Sequence, residues 1–431
     1  MPATVVTTVN LMWCPFPRVV MLDSFGNESD ERSTRLSRRQ YLAYTGVVAG
    51  GVIGGSNPAS ATSAAAADSG VTEGVFADLV DGNVVAVAPD LEAPRSIDPD
   101  GRETPIQDAL DVLAEGGGGE VRLPPTTVFE RGTIEPPSDT AIVGFGPTVS
   151  EIAIADSGID GIRFADPDGV ARVRLDGFAL NGPGLETDSG AAISHAEGDT
   201  QDLSVSRLVF WAWNDAVYRV EEGVGPFQCR HDLLTVYDCD AGNADGLFEF
   251  RSWYGPANWF GTVAVYPSAH QSGENSTVFF TRGGTQRIEY LTMGGTAAPA
   301  VHQKWDAHVE IDHLHWEPVG LESTPEAVVR LKGHGPARIG SVKHVTGTAD
   351  YLYELAYDPY MGSRPARKAL GVYYPVGSEA TLAANVVGLA APNDPDHPSF
   401  YWGNTGDVDV THADEETGGF RAMGGAGTPV G

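Results

Sequence analysis

The sequence predicts an all-β chain wound as a single-stranded parallel β-helix, with three strands per rung, about ten rungs and a short N-terminal capping helix. Three observations lead there. An eight-residue pattern (apolar, any, apolar, any, any, apolar, any, apolar) occurs seven times between Val173 and His344. A further short apolar run lies ahead of most copies. No segment of helical length or periodicity separates one copy from the next, which sets aside ankyrin, tetratricopeptide and leucine-rich solenoids.

The copies are Val173-Leu175-Phe178-Leu180, Leu203-Val205-Leu208-Phe210, Phe227-Cys229-Asp232-Leu234, Asn258-Phe260-Val263-Val265, Gln286-Ile288-Leu291-Met293, Val309-Ile311-Leu314-Trp316 and Ala337-Ile339-Val342-His344. Their starts are 30, 24, 31, 28, 23 and 28 residues apart. That is the size of one solenoid turn, which cannot bury its apolar face alone. Alternation at period two sends one set of side chains inward and the other outward. Each copy therefore reads as two short strands joined by a two-residue bend. The third strand begins near Gly161, Ala191, Ala216, Gly246, Thr277, Ala300, Ala327 and Tyr351.

Ahead of the copies, Thr104-Pro105 reads as an N-cap with proline at the first helical position. Ile106, Ala109, Leu110 and Leu113 make one apolar face, and the glycines 116–119 end the helix. A strand, Glu120-Val121-Arg122-Leu123, follows and stops at Pro124-Pro125. Such a helix can cover the open end of a solenoid, whose bare edge would otherwise pair with another chain.

The stretch Ile106-Gln107 with Ala109-Leu110, then the glycines and Glu120 to Pro125, then Gly144-Phe145-Gly146-Pro147, resembles the N-terminal cap of the pectate lyase-like right-handed β-helix superfamily. The resemblance spans roughly residues 100–360. It implies the fold and a secreted, carbohydrate-active setting, with no one activity attached, because a single fold hosts many chemistries.

The remaining spans divide as follows. Residues 1–61 read as a leader, with the twin-arginine export motif Ser37-Arg38-Arg39-Gln40-Tyr41-Leu42, an apolar stretch from Tyr44 to Ile53, and Ala59-Ser60-Ala61 as cleavage site. Met21 is an alternative start. The apolar stretch is too short to span a bilayer, so a secreted protein with no membrane span after cleavage is expected. Residues 62–99 read as a linker with a first strand or two, 100–412 as the β-helix, and 413–431 as a disordered glycine-rich tail.

Composition narrows the partners. The formal net charge is −31, and the 27 Lys+Arg include four lysines: Lys304, Lys332, Lys343 and Lys368. A strongly acidic, lysine-poor chain resembles the exported proteins of salt-loving archaea, whose self-repulsion is screened by salt. Nothing offers a basic stripe for nucleic acid. Cys229 takes an inward position, which makes a buried free thiol the expectation over a disulfide with Cys239.

In a β-helix the interior is packed, so chemistry must use outward side chains and loops. Outward columns Arg287-Glu310-Arg338, Arg219-Glu249 and Arg330-Glu354 alternate in sign, as cross-rung pairing produces. Asp215 and Asp245 enter the third strand of consecutive rungs. Asn243-Ala244-Asp245-Gly246 resembles the Asn-Thr-Asp-Gly of polygalacturonases, yet Asp160, Glu326 and Asp350 recur at the same place, as turn chemistry would. Glu289 and Asp312 share one bend position, between Gly261 and Gly340. Two such carboxylates call for a hard cation such as Ca2+ or for one retained proton. The segment from His302 to Glu317 concentrates histidines around Lys304 without a zinc spacing. Neither G-x-S-x-G nor a phosphate-binding glycine loop is present.

These residues support an exported polysaccharide-active enzyme, a lyase or glycoside hydrolase on an acidic polysaccharide. By the resemblance, a cleft along one outer sheet places Asp215, Asp245, Glu249, Lys304 and Arg219 in catalytic positions. Lys304 is the candidate base or charge neutraliser, and Asp245 and Glu249 the acid or metal ligands. Trp253, Tyr254 and Trp305 are candidate sugar platforms, with Gln303 and His308 beside them. The alternative is a non-catalytic rod that binds a cell-surface glycan. Monomer and trimer both stay open.

Overall fold

The structure is a computed structural model that describes residues 73–422, apart from 243, 254–256, 269–276, 297, 319–324, 334, 356–367, 377–379, 390–399, 403–409 and 414–419. The twin-arginine leader, the cleavage site and Tyr254 lie outside the described residues.

Residues 73–97 carry more structure than a linker. Helix α1 (Glu73–Val80) is followed by strands β1 (Val84–Val87) and β2 (Arg95–Ile97). Val75 and Leu79 pack with Val85 and the partly buried Phe145, while Val84 and Ala86 belong to the main core. Helix α2 (Pro105–Glu115) buries Ile106, Ala109, Leu110 and Leu113 as the periodicity predicts. Thr104 precedes it but makes no side-chain capping bond. Glu130 supplies the cap from another strand: its carboxylate accepts the backbone N–H groups of Ile106 at 3.0 Å and Gln107 at 3.4 Å. Strand β1 pairs antiparallel with both β2 and β3 (Gly119–Arg122), so the first parallel strand presents no bare edge at this end.

Beyond this cap the chain makes a parallel β-solenoid of about eight turns with three parallel sheets. The count is lower than the ten the sequence predicts, and among the described residues after Leu389 the strands are short: Phe400–Trp402, Val410–Ala413 and Phe420–Ala422. The last of these pairs in parallel with Phe400–Trp402, inside the span read as a disordered tail. The largest sheet holds the repeat. In the first copy the two runs are separate strands, Arg174–Asp176 and Ala179–Asn181, split at Gly177 with φ 74°. From Ser204–Trp211 onward they fuse into single strands of eight to ten residues. The second sheet takes the third strand of each turn, and a three-stranded sheet closes the early turns.

Register corrects one copy of the repeat. Cys229 faces Asn258, His231 faces Phe260, Leu234 faces Val263 and Val236 faces Val265. The third copy is therefore Cys229-His231-Leu234-Val236, two residues later than the apolar pattern placed it. The pattern slipped because His231 occupies an inward position: it is fully buried and stacks on Phe260 with ring centroids 4.4 Å apart. Asn258 and Gln286 also point inward, and Asn258 Nδ2 donates to Gln286 Oε1 at 3.1 Å. Such cross-rung amide bonds satisfy polar groups that the core would otherwise leave unpaired. Cys229 and Cys239 are buried free thiols.

Candidate functional site

The outward columns behave as paired charges. Arg287 lies opposite Glu310, which lies opposite Arg338. The two arginines approach Glu310 at 3.9 and 3.7 Å, and His308 joins at 3.2 Å. His308 thus belongs to this network at the start of its strand. Arg330 reaches Glu354 at 3.2 Å. Glu249 is fully buried and is held by Arg219 at 2.9 Å and Arg251 at 3.0 Å. Asp215 also pairs with Arg219. Burial raises the Asp215 carboxyl above its ordinary value, against the pull of Arg219. Burial alone would lower Arg219, but Asp215 and Glu249 hold its guanidinium above its usual range. Three of the candidate catalytic groups are therefore one ion-paired cluster, with Glu249 closed off from solvent.

Glu289 and Asp312 do share a bend position, beside a surface recess of about 470 Å³ lined by Asp312, His313, Arg338, Gly340 and Ser341 as well as Glu289. The positive charge at this place comes from the protein. Arg338 bonds Asp312, and Arg287 lies 3.8 Å from its other oxygen. Among the described residues, no group of three or more potential metal ligands assembles.

Gln303 is not at a surface. Its side chain is fully buried, where Nε2 donates to the backbone oxygens of Gly335 at 3.0 Å and Pro336 at 3.1 Å, and Oε1 accepts from Lys368. It strengthens the core and has no free group to offer a ligand. The sequence pattern missed this because Gln303 ends a third strand whose inward parity only register reveals.

Lys304, the next residue, does reach the surface, and it does so in company. Phe250 pairs with Thr281, Thr281 with Gln303, and Gln303 with Leu331. One residue further along each strand stand Arg251, Arg282, Lys304 and Lys332. The backbone N–H of each donates to the preceding rung, at 2.9 Å for Arg251, Arg282 and Lys332 and 2.8 Å for Lys304. Four cations on four successive rungs lie at the strand spacing of about 4.8 Å. Arg251 is engaged by Glu249 and Glu221, Lys332 by Glu354 at 2.5 Å, and Arg282 by Asp245 at 3.5 Å. Among the described residues Lys304 forms no ion pair. Its ammonium lies 5.1 Å from the Phe280 ring centroid, and Arg282 lies 5.4 Å from the same ring. Burial lowers the Lys304 amine below its usual value, with Arg282 and Lys332 adding to the effect and Asp245 opposing it. Beneath the strip, His302 packs edge-on against Phe280, and burial together with the neighbouring cations holds it neutral, down to about 3.

Alongside this column runs a turn in which tryptophan and glycine alternate. A β-carbon on Gly283 would sit 2.5 Å from the Trp253 Cα, and one on Gly333 would sit 2.4 Å from the Trp305 oxygen. Trp253 and Trp305 are thereby kept on alternate rungs with flat backbone between them. Trp253 is 61% exposed, and Trp305 sits in the left-handed region at φ 49° with Arg282 5.3 Å from its ring. Arg251, Arg282 and Lys332 escaped the sequence reading. The signal that would have found them is the position just after each third strand, which is basic on four turns running.

Comparison of the chain with protein-family models, with curated proteins and with solved structures finds no match.

Proposed function

We propose that this chain is an exported β-helix protein that binds an acidic polysaccharide along Arg251, Arg282, Lys304 and Lys332, with the indoles of Trp253 and Trp305 as sugar platforms. One observation carries the reading. In a chain of net charge −31, Lys304 stands without an ion pair among the described residues, flanked by Arg282 and Lys332 over the Phe280 ring. A cation held in partly dehydrated surroundings gains most from an anionic partner, and the neighbouring cations oppose its own charge until one arrives. Aromatic faces at the same strip suit pyranose rings. The parallel solenoid, the N-terminal helix and the twin-arginine motif support an exported protein resembling the pectate lyase-like superfamily.

A second reading is elimination on the same glycan, with Lys304 as base and Arg282 neutralising the substrate carboxylate. The lowered proton affinity of Lys304 favours it, since a base works best when its pKa lies near the working pH. Hydrolysis has less support, because Asp215 and Glu249 are tied to Arg219 and do not stand free as an acid and a base.

The test is affinity electrophoresis and calorimetry with a polyuronate, on the folded protein and on Lys304→Ala, followed by absorbance for unsaturated products. Binding that weakens about tenfold in the variant supports the glycan reading. Equal affinity in both proteins overturns it. Unsaturated products from the parent protein but not the variant select elimination over binding alone.

A further inference from the structure

The cationic strip ends beside Trp253. On the turns before that indole lies a cavity of about 560 Å³ whose lining includes Asp168, Asp199, Gln201 and Trp253. Its size falls in the range of small-molecule sites. Its floor is glycine on three successive turns: Gly169 at φ 90°, Gly198 at φ 67° and Gly223 at φ 81°. These conformations exclude ordinary side chains at little cost to glycine. At the first two, packing excludes a β-carbon as well. It would sit 2.9 Å from the Asp199 oxygen at Gly169 and 2.0 Å from the Asp166 oxygen at Gly198. The floor is therefore flat and polar, and the exposed indole stands at its end as a wall.

The lining also reverses in charge. Where the strip beyond Trp253 presents Arg251, Arg282, Lys304 and Lys332, the cavity presents Asp168 and Asp199 with the Gln201 amide. No cation lines it. An ionised carboxylate only accepts hydrogen bonds, so it selects donors and repels an anionic group. Sugar hydroxyls are such donors, and adjacent hydroxyls match the two oxygens of one carboxylate. The amide of Gln201 can both donate and accept, as a hydroxyl or ring oxygen requires.

We propose that this cavity is a second sugar subsite that takes an uncharged pyranose, so that Trp253 divides a glycan into an uncharged unit over Asp168, Asp199 and Gln201 and an acidic unit over Arg282 and Lys304. The inference rests on the glycan-binding reading above and narrows its substrate class. The preferred ligand is a mixed polysaccharide in which neutral and acidic sugars are neighbours. A uniform polyuronate fits one side of the indole alone.

Three probes separate the two sides: xylotetraose as an uncharged chain, a tetra-uronate as a uniformly acidic one, and a xylo-oligosaccharide bearing one glucuronic acid branch. They are titrated by calorimetry into the full chain and into Asp168→Ala, Gln201→Ala and Lys304→Ala. Asp168 and Gln201 are exposed, so neither change endangers the fold. The branched probe is expected to bind about tenfold or more tightly than the tetra-uronate. Asp168→Ala and Gln201→Ala should each weaken xylotetraose and the branched probe several-fold. Xylotetraose that fails to bind, or that binds both variants as well as the parent protein, overturns the subsite. Tetra-uronate affinity unchanged in Lys304→Ala counts against the glycan-binding reading instead, so the two failures are told apart.

Discussion

The Lys368 amine donates a hydrogen bond to Gln303 Oε1 at 2.5 Å, joining side chains 65 residues apart inside the core. Its second bond goes to the backbone oxygen of Gly335. A neutral amine has two hydrogens, and both acceptors are in place. Burial pushes the Lys368 pKa down to about 7.

This relationship predicts an alkaline gain in stability. The folded-state pKa lies below the unfolded value of 10.5, so between pH 7 and 10.5 the unfolded chain binds more protons and stability rises with pH. The shift corresponds to on the order of 4 kcal/mol across that window. Denaturant midpoints measured from pH 7 to 10 should climb in the parent protein and stay nearly flat, for this contribution, in Lys368→Met. A climb of equal size in the variant would assign the effect to other groups.

Glu130 is expected to behave in the opposite sense. Burial raises its carboxyl to about 7, although the Ile106 and Gln107 amides favour the charged form. The folded state holds the proton more tightly than the unfolded chain does at 4.5. The stabilisation is therefore complete below pH 4.5 and lost as pH rises through 7. Glu130→Gln should remove that slope, whereas Glu130→Ala should cost about 1–3 kcal/mol by leaving the helix N–H groups unpaired. Thermal melts of both variants at pH 5 and 7.5 decide it.

Replacing His231 by Leu restores the apolar pattern of the third copy. Burial holds His231 down to about 3, so its neutral form is stable in the core and protonation below pH 6.5 favours unfolding. Stability from this residue is present above 6.5 and lost as pH falls toward 3. His231→Leu should match or exceed the parent protein at pH 7 by about 1 kcal/mol and gain further at pH 5. Greater acid sensitivity in the variant than in the parent would contradict this.

The arginines should divide by burial. Arg219→Ala leaves the fully buried Glu249 with Arg251 as its remaining cation and takes the arginine away from the largely buried Asp215, and is expected to cost about 3–5 kcal/mol. Arg287→Ala removes a pair with a half-exposed arginine at 3.9 Å and should change stability by less than about 1 kcal/mol. Urea unfolding of the two variants side by side tests the contrast, and comparable losses would refute it.

Much of the fold was legible in the chain because a solenoid writes its core as a period. Val205, Phe260, Ile288, Ile311 and Ile339 are inward in the repeat and buried in the structure. Columns such as Arg219 with Glu249 could be read across turns for the same reason. The pattern failed where inward residues are polar. His231 stacks on Phe260, and Asn258, Gln286 and Gln303 hydrogen-bond to residues of neighbouring rungs, a full turn or more away in the chain.

What the sequence determined by itself was the winding: apolar alternation, turn length and a capped first edge follow from local residue order. What only the tertiary structure decided was the site. Arg251, Arg282, Lys304 and Lys332 are separated by 22 to 31 residues, and Gln303 differs from Lys304 in burial by a single step of parity. Register brings the four cations onto one strip and turns Gln303 inward, because a shift of one residue in a strand exchanges its buried and exposed faces.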